Sequence, residues 1–194
     1  AQQPRREWLR HPQTPAAACR IGLMGLGELG GHIASYAPGL GYAVQGWSRS
    51  PRQLPGVSCF SGEEGLAPFL ASTDILVCLL PLTNATRGIL NARTFDALPH
   101  GAALVHCGRG EHLVEADLAE ALTSGQLRGA VVDVFEQEPL PAEHPFWTLP
   151  GLVVTPHMAT MASWDTVVGQ IAGNVVRLRA GEPLQNTVDL QRGY

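Results

Sequence analysis

The chain reads Ile21-Gly22-Leu23-Met24-Gly25-Leu26-Gly27-Glu28-Leu29-Gly30-Gly31-His32-Ile33 where a short apolar run passes into a helical pattern. Gly25, Gly27 and Gly30 stand at G-x-G-x-x-G spacing. The first glycine permits a tight turn, the second lets phosphates approach the backbone, and the third lets the helix pack on the strand. Since free N–H groups at the helix start attract negative charge, the motif predicts a dinucleotide pyrophosphate site. An ordinary glycine-rich turn is the alternative.

The end of the next strand-like run, Tyr42–Trp47, bears on which dinucleotide would bind. An NAD site places Asp or Glu there to bind the ribose 2′-hydroxyl, but the chain continues Ser48-Arg49-Ser50 and its next carboxylate is Glu63. Arg49 offers a charged fork for a 2′-phosphate, and the two serines can donate hydrogen bonds. We therefore expect NADP(H) to be preferred, with NAD(H) possible and a solvated surface turn as the alternative.

Composition excludes several classes of protein. The 194 residues are 45% hydrophobic, enough for one sizeable core, and the net charge of −4 argues against a general nucleic-acid binder. The longest apolar run, Ile75–Leu80, is too short to span a membrane, and the first residues lack the apolar stretch of a signal peptide. Four cysteines without C-x-x-C spacing indicate a reduced, cytoplasmic protein with neither disulfides nor a metal site.

The basic residues are all arginine. None of the thirteen is lysine, which excludes Schiff-base chemistry and the lysine of a nucleotide P-loop. Any catalysis must therefore use arginine, histidine and carboxylates.

Strand-like and helix-like segments alternate after the glycine turn, which predicts an α/β fold: a doubly wound, mostly parallel Rossmann sheet with helices on both faces. Strands are predicted over Arg20–Met24, Ala43–Trp47, Val57–Phe60, Ile75–Leu80, Ala103–Cys107, Ala130–Val134 and Leu152–Thr155. Helices are predicted near Asn91–Ala97, over Glu115–Ser124, over Ala162–Ala180, and from a capping box at Ser61-x-x-Glu64 towards Ala71. We expect residues 1–19 to be a linker, 20–160 the cofactor-binding domain, and 161–194 a long helix and tail.

Polar side chains follow three of the predicted strands. Arg109 lies between glycines, Asp133 ends an apolar run with Glu138 close behind, and His157 follows Thr155-Pro156. Reduction of a 2-oxo acid needs a cation for the carboxylate and an acid for the carbonyl oxygen. Arg109, Glu138 and His157 could supply these roles, although a surface arginine, solvated acids and a structural histidine are the simpler interpretation.

Taken together, these segments resemble the D-isomer-specific 2-hydroxyacid dehydrogenase family across about residues 20–180, most closely its bacterial glyoxylate/hydroxypyruvate reductase branch. The stretches that match the family are Gly25–Gly30, Leu80-Pro81-Leu82-Thr83-x-x-Thr86, Gly108-Arg109-Gly110, Gly129–Leu140 and Thr155–Ala159. The stretches that indicate the branch are Trp47–Ser50, Pro145–Trp147 and the ending, which runs from Gly181–Pro183 to Arg192-Gly193-Tyr194.

The resemblance implies roles for particular residues. Arg109 would bind the substrate carboxylate, His157 would be the acid/base, and Glu138 its partner. Asp133 would contact the nicotinamide carboxamide. The implied cofactor contacts are Gly25, Gly27, Glu28, Leu29, Gly30, Trp47, Ser48, Arg49, Ser50, Leu80, Pro81, Thr86, Cys107, Gly108, Arg109, Asp133, His157 and Ala159. The implied assembly is a homodimer acting on a small 2-oxo or 2-hydroxy acid.

The chain departs from the family pattern in two ways. His106, Cys107 and Gly108 replace the usual residues before the arginine, and about half of a separate substrate domain is absent. We expect a fragment of a longer protein that binds cofactor but turns over poorly alone, rather than a degenerate relative. Phosphoglycerate- or lactate-type dehydrogenases and a nucleotide-sensing corepressor remain alternatives. A 3-hydroxyacid dehydrogenase would need a lysine.

Overall fold

The structure, a computed structural model, describes residues 2, 5–10 and 13–188. The predicted ending Arg192-Gly193-Tyr194 lies outside them. Seven strands form one sheet: β1 Arg20–Met24, β2 Ala43–Ser48, β3 Ser58–Ser61, β4 Ile75–Cys78, β5 Ala102–His106, β6 Leu127–Val132 and β7 Leu152–Val154. The helices are α1 Glu28–Tyr36, α2 Gly62–Ala71, α3 Ala92–Asp96, α4 Glu115–Ser124 and α5 Trp164–Arg179. Among these residues, no helix is long and apolar enough to cross a membrane.

The sheet order is β3-β2-β1-β4-β5-β6-β7, and every neighbouring pair is parallel. This order reverses direction between β1 and β4, which confirms the predicted doubly wound Rossmann fold. Ligands bind beyond the carboxyl ends of strands at such a switch point. The glycine turn follows β1 and therefore lies at that position.

Two apolar clusters cover opposite faces because side chains alternate along each strand. The larger contains Met24, Leu76 and Leu104 with residues of α2, α3 and α4, and the smaller contains Leu23 and Val77 with α1. Helices thus occupy both faces, as predicted. No residue of α5 is buried, so its apolar stripe does not contribute to either core.

Several predicted boundaries differ from the structure by one to three residues. β6 begins at Leu127, three residues earlier than predicted, because Leu127 and Gly129 pair with the start of β5. The predicted capping box at Ser61 is wrong: Ser61 precedes α2, but its side chain makes no capping hydrogen bond. Gly62 enters the helix with a left-handed φ of 66°, which changes the approach of the chain to the first turn.

Candidate active site at the carboxyl ends of the strands

The glycine turn has the close contacts that its spacing predicts. Gly25 has a φ of 112°, and a Cβ there would lie 2.9 Å from the Leu79 carbonyl oxygen. A Cβ on Gly30 would lie 1.9 Å from the Gly25 carbonyl oxygen, so the start of α1 packs directly on the turn. At Gly27 a Cβ would meet nothing within 4 Å. The first and third glycines are therefore required by packing, whereas the second leaves open space in front of the backbone.

That open space faces the N-terminus of α1. Gly27 is the N-cap, and Glu28 and Leu29 form the exposed first turn of the helix. Amide groups in the first turn of a helix lack carbonyl partners within it and favour a bound anion. The predicted pyrophosphate contacts are thus grouped around one exposed helix end.

The end of β2 combines a buried aromatic residue with an exposed polar turn. Trp47 is buried, and its indole Nε1 donates to the Gly62 carbonyl at 2.8 Å. The Ser48 hydroxyl donates to the Ser50 carbonyl at 2.8 Å, while Arg49 and Ser50 are exposed. An open cavity of about 710 Å³ adjoins this turn. Its walls are Pro51, Arg52, Gln53, Leu54, Pro55, Val57, Cys59 and Ser61.

The loop after β4 is braced internally. The Thr86 hydroxyl donates to the Pro81 carbonyl at 2.8 Å and accepts from the Thr83 amide at the same distance. Leu80 packs in the larger core, and Pro81 and Thr86 are half-buried. Of the predicted cofactor contacts here, Pro81 and Thr86 are therefore the ones that reach the surface.

The three strands that precede the predicted catalytic residues are adjacent. His106 of β5 pairs with Val132 of β6, which pairs with Val154 of β7. The segments leading to Arg109, Glu138 and His157 therefore leave the sheet side by side at one edge.

The turn that carries Arg109 touches the turn that follows β6. A Cβ on Gly110 would lie 2.0 Å from the carbonyl carbon of Phe135, so only glycine fits between the two backbones. Arg109 itself is exposed, and its Nη1 donates to the Gly108 carbonyl at 2.7 Å. It forms no ion pair within the described part of the chain. Its positive charge is therefore available to an external anion.

His157 and Glu138 are in direct contact. His157 Nδ1 lies 2.8 Å from Glu138 Oε2, and Glu138 Oε1 accepts from the Phe135 amide at 2.9 Å. The hydrogen bond with His157 is the main reason why the pKa of Glu138 lies below its ordinary value. The carboxylate therefore stays ionised and orients the ring, which leaves His157 Nε2 for a different partner.

Asp133 supports the loop that carries His157. Its buried carboxylate accepts from the Thr155 hydroxyl at 2.5 Å and from the amides of Met158 and Ala159 at 3.0 Å each. Its own carbonyl accepts from the His157 amide at 2.9 Å. Burial by itself raises the pKa of Asp133, but the hydrogen bonds outweigh burial and hold that pKa below its ordinary value. The carboxylate is therefore an ionised anchor.

Three residues in this region had no assigned role in the sequence analysis. Thr155 bonds the Asp133 carboxylate, and the buried rings of His106 and His112 bond the main chain of Arg109. The two histidines flank the G-R-G sequence three residues to either side of Arg109, but this spacing alone does not show that both rings turn inward. Cys107 and Gly108, between His106 and Arg109, are half-buried and buried.

Cys78, His106 and His112 form a buried group whose potential ligand atoms lie within 4.8 Å of one another. His112 Nδ1 accepts from the Arg109 amide, and His112 Nε2 faces the Pro81 carbonyl. Because both nitrogens are engaged, His112 has no lone pair left for a metal ion. Burial raises the pKa of the Cys78 thiol to about 12. The group therefore fits a hydrogen-bonded core better than a metal centre.

Comparison with known proteins gives a consistent result. The family described as "D-isomer specific 2-hydroxyacid dehydrogenase, NAD binding domain" matches residues 1–159. The chain is 45% identical over 174 residues to glyoxylate/hydroxypyruvate reductase A of Serratia proteamaculans (strain 568), covering 90% of the chain and 56% of that protein. It is 41% identical over 187 residues to the Salmonella choleraesuis (strain SC-B67) protein of that name, covering 96% and 60%.

Solved structures agree in fold. The D-isomer specific 2-hydroxyacid dehydrogenase from Xanthobacter autotrophicus Py2, in complex with NADPH and MES, has a TM-score of 0.94 and 45% identity, covering 100% of this chain and 80% of that one. The NADPH-dependent glyoxylate/hydroxypyruvate reductase from Sinorhizobium meliloti, in complex with NADP and sulfate, has a TM-score of 0.93 and 41% identity, covering 100% and 62%. The chain thus spans little more than half the length of the two reductases named from Serratia and Salmonella. With its fold and most of its length matched, the chain belongs to the D-isomer-specific 2-hydroxyacid dehydrogenase family.

Proposed function

We propose that this chain carries the NADP(H)-binding domain and the acid/base pair of a reductase that converts a small 2-oxo acid, such as glyoxylate or hydroxypyruvate, to the 2-hydroxy acid. Residues 20–160 bind the cofactor. Residues 1–19 link to the substrate domain, and 161–194 return towards it. As the resemblance implies, the enzyme acts as a cytoplasmic homodimer.

The cofactor fits the residues around the glycine turn. The open backbone at Gly27 and the exposed N-terminus of α1 suit a pyrophosphate. The turn after β2 has no carboxylate to repel a 2′-phosphate, and it exposes Arg49 two residues before Pro51, where the wall of an open cavity begins. The relatives from Xanthobacter and Sinorhizobium contain NADPH and NADP respectively, which supports NADP(H) over NAD(H) for this chain.

The chemistry is divided among three side chains. When bound, NADPH supplies the hydride that adds to the carbonyl carbon of the substrate. Arg109 binds the substrate carboxylate through its planar guanidinium, which fixes the carbonyl relative to the imidazole. His157 donates a proton from Nε2 to the carbonyl oxygen, and Glu138 stabilises the charged imidazolium before that transfer.

The observation that carries this proposal is the 2.8 Å contact between His157 Nδ1 and Glu138 Oε2. It ties one ring nitrogen to an ionised carboxylate and leaves the other for substrate, at the sheet edge where Arg109 also emerges. A histidine with only a structural role would more often be buried with both nitrogens engaged. Here its side chain is 43% exposed.

Cofactor preference tests the first half of the proposal. Arg49→Gln removes a charged contact to the 2′-phosphate, so we expect NADPH to bind roughly 10- to 100-fold more weakly. NADH, which lacks that phosphate, should bind about as before. Fluorescence titration of the chain with each nucleotide measures both, and Arg93→Gln on α3 is the charge-matched control. Equal weakening for both nucleotides, or tighter binding of NADH by the unaltered chain, contradicts the assignment of Arg49.

Turnover tests the second half. NADPH oxidation by the full-length protein is followed with glyoxylate, hydroxypyruvate and a panel of other 2-oxo acids. We expect His157→Gln to lower kcat by roughly 10²- to 10⁴-fold, the usual contribution of a positioned acid. His100→Gln changes an exposed residue that precedes β5, away from the carboxyl ends of the strands, and should leave kcat unchanged. No activity with any 2-oxo acid would favour a cofactor-sensing role without catalysis, and a preference for a larger acid would favour another branch of the family.

A further inference from the structure

Two buried imidazoles hold the main chain of Arg109 from opposite sides. His106 Nε2 lies 3.0 Å from the Arg109 carbonyl oxygen, and the Arg109 amide donates to His112 Nδ1 at 2.9 Å. His112 Nε2 lies 3.2 Å from the Pro81 carbonyl oxygen. The rings of His106 and His112 are fully buried, and their centroids lie 5.8 Å apart. Both hydrogen-bonding groups of the Arg109 backbone are therefore bound by histidine.

The backbone partners determine the tautomer of each ring. An amide can only donate, so His112 Nδ1 must carry a lone pair, and its Nε2 carries the proton that faces Pro81. A carbonyl can only accept, so His106 Nε2 carries the proton that faces Arg109. Protonating His112 would place two donors against each other, and protonating His106 would leave a buried N–H at Nδ1, which has no partner. The arrangement therefore requires two neutral rings.

The surroundings favour the neutral forms. Burial, followed by the neighbouring His112, lowers the pKa of His106 to about 4, and burial is also the main reason why the pKa of His112 is lowered. The charged side chains around the pair are Arg109, Glu111 and Asp133. A Cβ on Gly108 would lie 2.7 Å from His112 Nδ1 and 3.3 Å from His106 Cε1, so the glycine permits both rings to approach the turn.

We propose that His106 and His112 are positioning residues. In their neutral forms the two rings hold the Arg109 backbone in place and thereby direct the Arg109 guanidinium towards the substrate carboxylate. This rests on the carboxylate-binding role proposed for Arg109. His112 also ties the Arg109 turn to the Pro81 loop, so a predicted cofactor contact and the substrate-binding residue share one support.

The tautomers can be tested without turnover. Long-range proton–nitrogen correlation spectra of the chain distinguish the Nε2–H tautomer from the imidazolium, and His106→Gln and His112→Asn assign the two signals. We expect both rings to be neutral, with the proton on Nε2, from pH 5.5 to 8. An imidazolium or an Nδ1–H tautomer at either ring would overturn the proposal. The proposal would also be overturned if the purified chain retained one equivalent of zinc, since a metal ion would occupy the ring nitrogens that hold the Arg109 backbone.

Steady-state kinetics of the full-length protein with NADPH and glyoxylate test the consequence. His106→Met and His112→Leu remove the side-chain hydrogen bonds to Arg109, although the His112 amide still donates to the Arg109 carbonyl. We expect KM for glyoxylate to rise by roughly 10-fold or more. His106→Gln keeps a donor near Nε2 and His112→Asn keeps an acceptor near Nδ1, so both should recover most of the loss. NADPH affinity, measured by fluorescence, should change by less than about 3-fold in the two His106 variants, because the His106 hydrogen bond reaches neither the glycine turn nor the Pro81 loop.

Arg109→Gln separates the two hypotheses in the same assay. If it leaves KM for glyoxylate unchanged, the proposed role of Arg109 fails. If Arg109→Gln raises KM while His106→Met and His112→Leu do not, the role of Arg109 stands and the positioning role of the two histidines is refuted. The positioning role is also refuted if His106→Gln and His112→Asn are as impaired as the apolar variants, since side-chain shape rather than hydrogen bonding would then explain the effect.

Discussion

Replacing Asp133 by asparagine should destabilise the protein in a pH-dependent way. The residue is 2% exposed, and its carboxylate accepts three hydrogen bonds, two at Oδ1 and one at Oδ2. Asparagine can place its oxygen at the Oδ1 position and keep the bonds from Thr155 and Met158. Its NH₂ group then faces the Ala159 amide, so that bond is lost and two donors oppose each other.

The magnitude follows from these contacts. A hydrogen bond to a charged group contributes about 1.5–3 kcal/mol and one to a neutral group about 1 kcal/mol. Losing one charged bond and weakening two others amounts to about 3–5 kcal/mol, and relief from burying a charge offsets part of this. We therefore expect Asp133→Asn to lower the free energy of unfolding by about 2–3 kcal/mol at pH 7. The matching fall in Tm for a chain of this length is about 5–10 °C.

The pH dependence has a definite sign. Because the folded-state pKa of Asp133 is lowered, its carboxylate stabilises the fold above the unfolded pKa, about 3.9, and this contribution is lost as pH falls through the folded pKa. The difference between wild type and Asp133→Asn should be the same at pH 7 and pH 5.5 and should shrink below about pH 4.

Urea unfolding monitored by circular dichroism at a series of pH values measures this difference. Asp96→Asn, at an exposed carboxylate on α3, is the matched control and should lie within about 0.5 kcal/mol of wild type. A variant at Asp133 as stable as wild type at pH 7, or a difference that grows on acidification, would refute the reasoning.

Two further predictions concern stability. Gly30→Ala should destabilise the fold by about 1–3 kcal/mol, because its Cβ would overlap the Gly25 carbonyl oxygen. On the same helix, a Cβ at Gly31 meets nothing within 4 Å, so Gly31→Ala should stabilise the fold by about 0.5–1 kcal/mol. Urea unfolding of the two variants should therefore show changes in unfolding free energy of opposite sign. Asp74 accepts from the amide, Nε and Nη2 of Arg20 at 2.7–2.8 Å. Its pKa is lowered mainly by the side-chain hydrogen bond, and the pair is partly exposed. Asp74→Asn should therefore lower unfolding free energy by about 1 kcal/mol above pH 4, less in 0.5 M salt, and an effect insensitive to both salt and pH would contradict the ion pair.

The fold could be predicted because its strands are nearly continuous apolar runs and its turns contain glycine. β1 and α4 have the predicted bounds, and Gly125 ends α4 in a left-handed conformation as expected. β6 could not be bounded in the same way. Arg128 and Gly129 resemble a turn in sequence, but the first donates to the Gly101 carbonyl and the second pairs with β5. Pairing across the sheet, which a local pattern does not show, decides where this strand begins.

The site could be predicted only as far as strand ends reveal it. Arg109, Asp133 and His157 each follow an apolar run, so their common edge follows from the parallel topology. The hydrogen bonds that orient these three side chains do not follow from the topology. Whether a histidine beside Arg109 turns into the core depends on the space that Gly108 leaves and on a carbonyl from the distant Pro81 loop. Both are properties of the folded chain.

The site thus divides into exposed side chains and buried groups that hold their backbones. Asp133 binds the Thr155 hydroxyl before His157 and the main-chain amides of the two residues after it, and His157 is a non-glycine residue with a φ of 49°. His106 and His112 bind the main chain of Arg109. A left-handed conformation at a non-glycine residue is unfavourable by about 1–2 kcal/mol and persists only where its surroundings maintain it. Substitutions at the buried groups should therefore change stability and substrate binding together. Substitutions at the tips of Arg109 and His157 should change catalysis with little loss of stability, because those tips contribute little to the core.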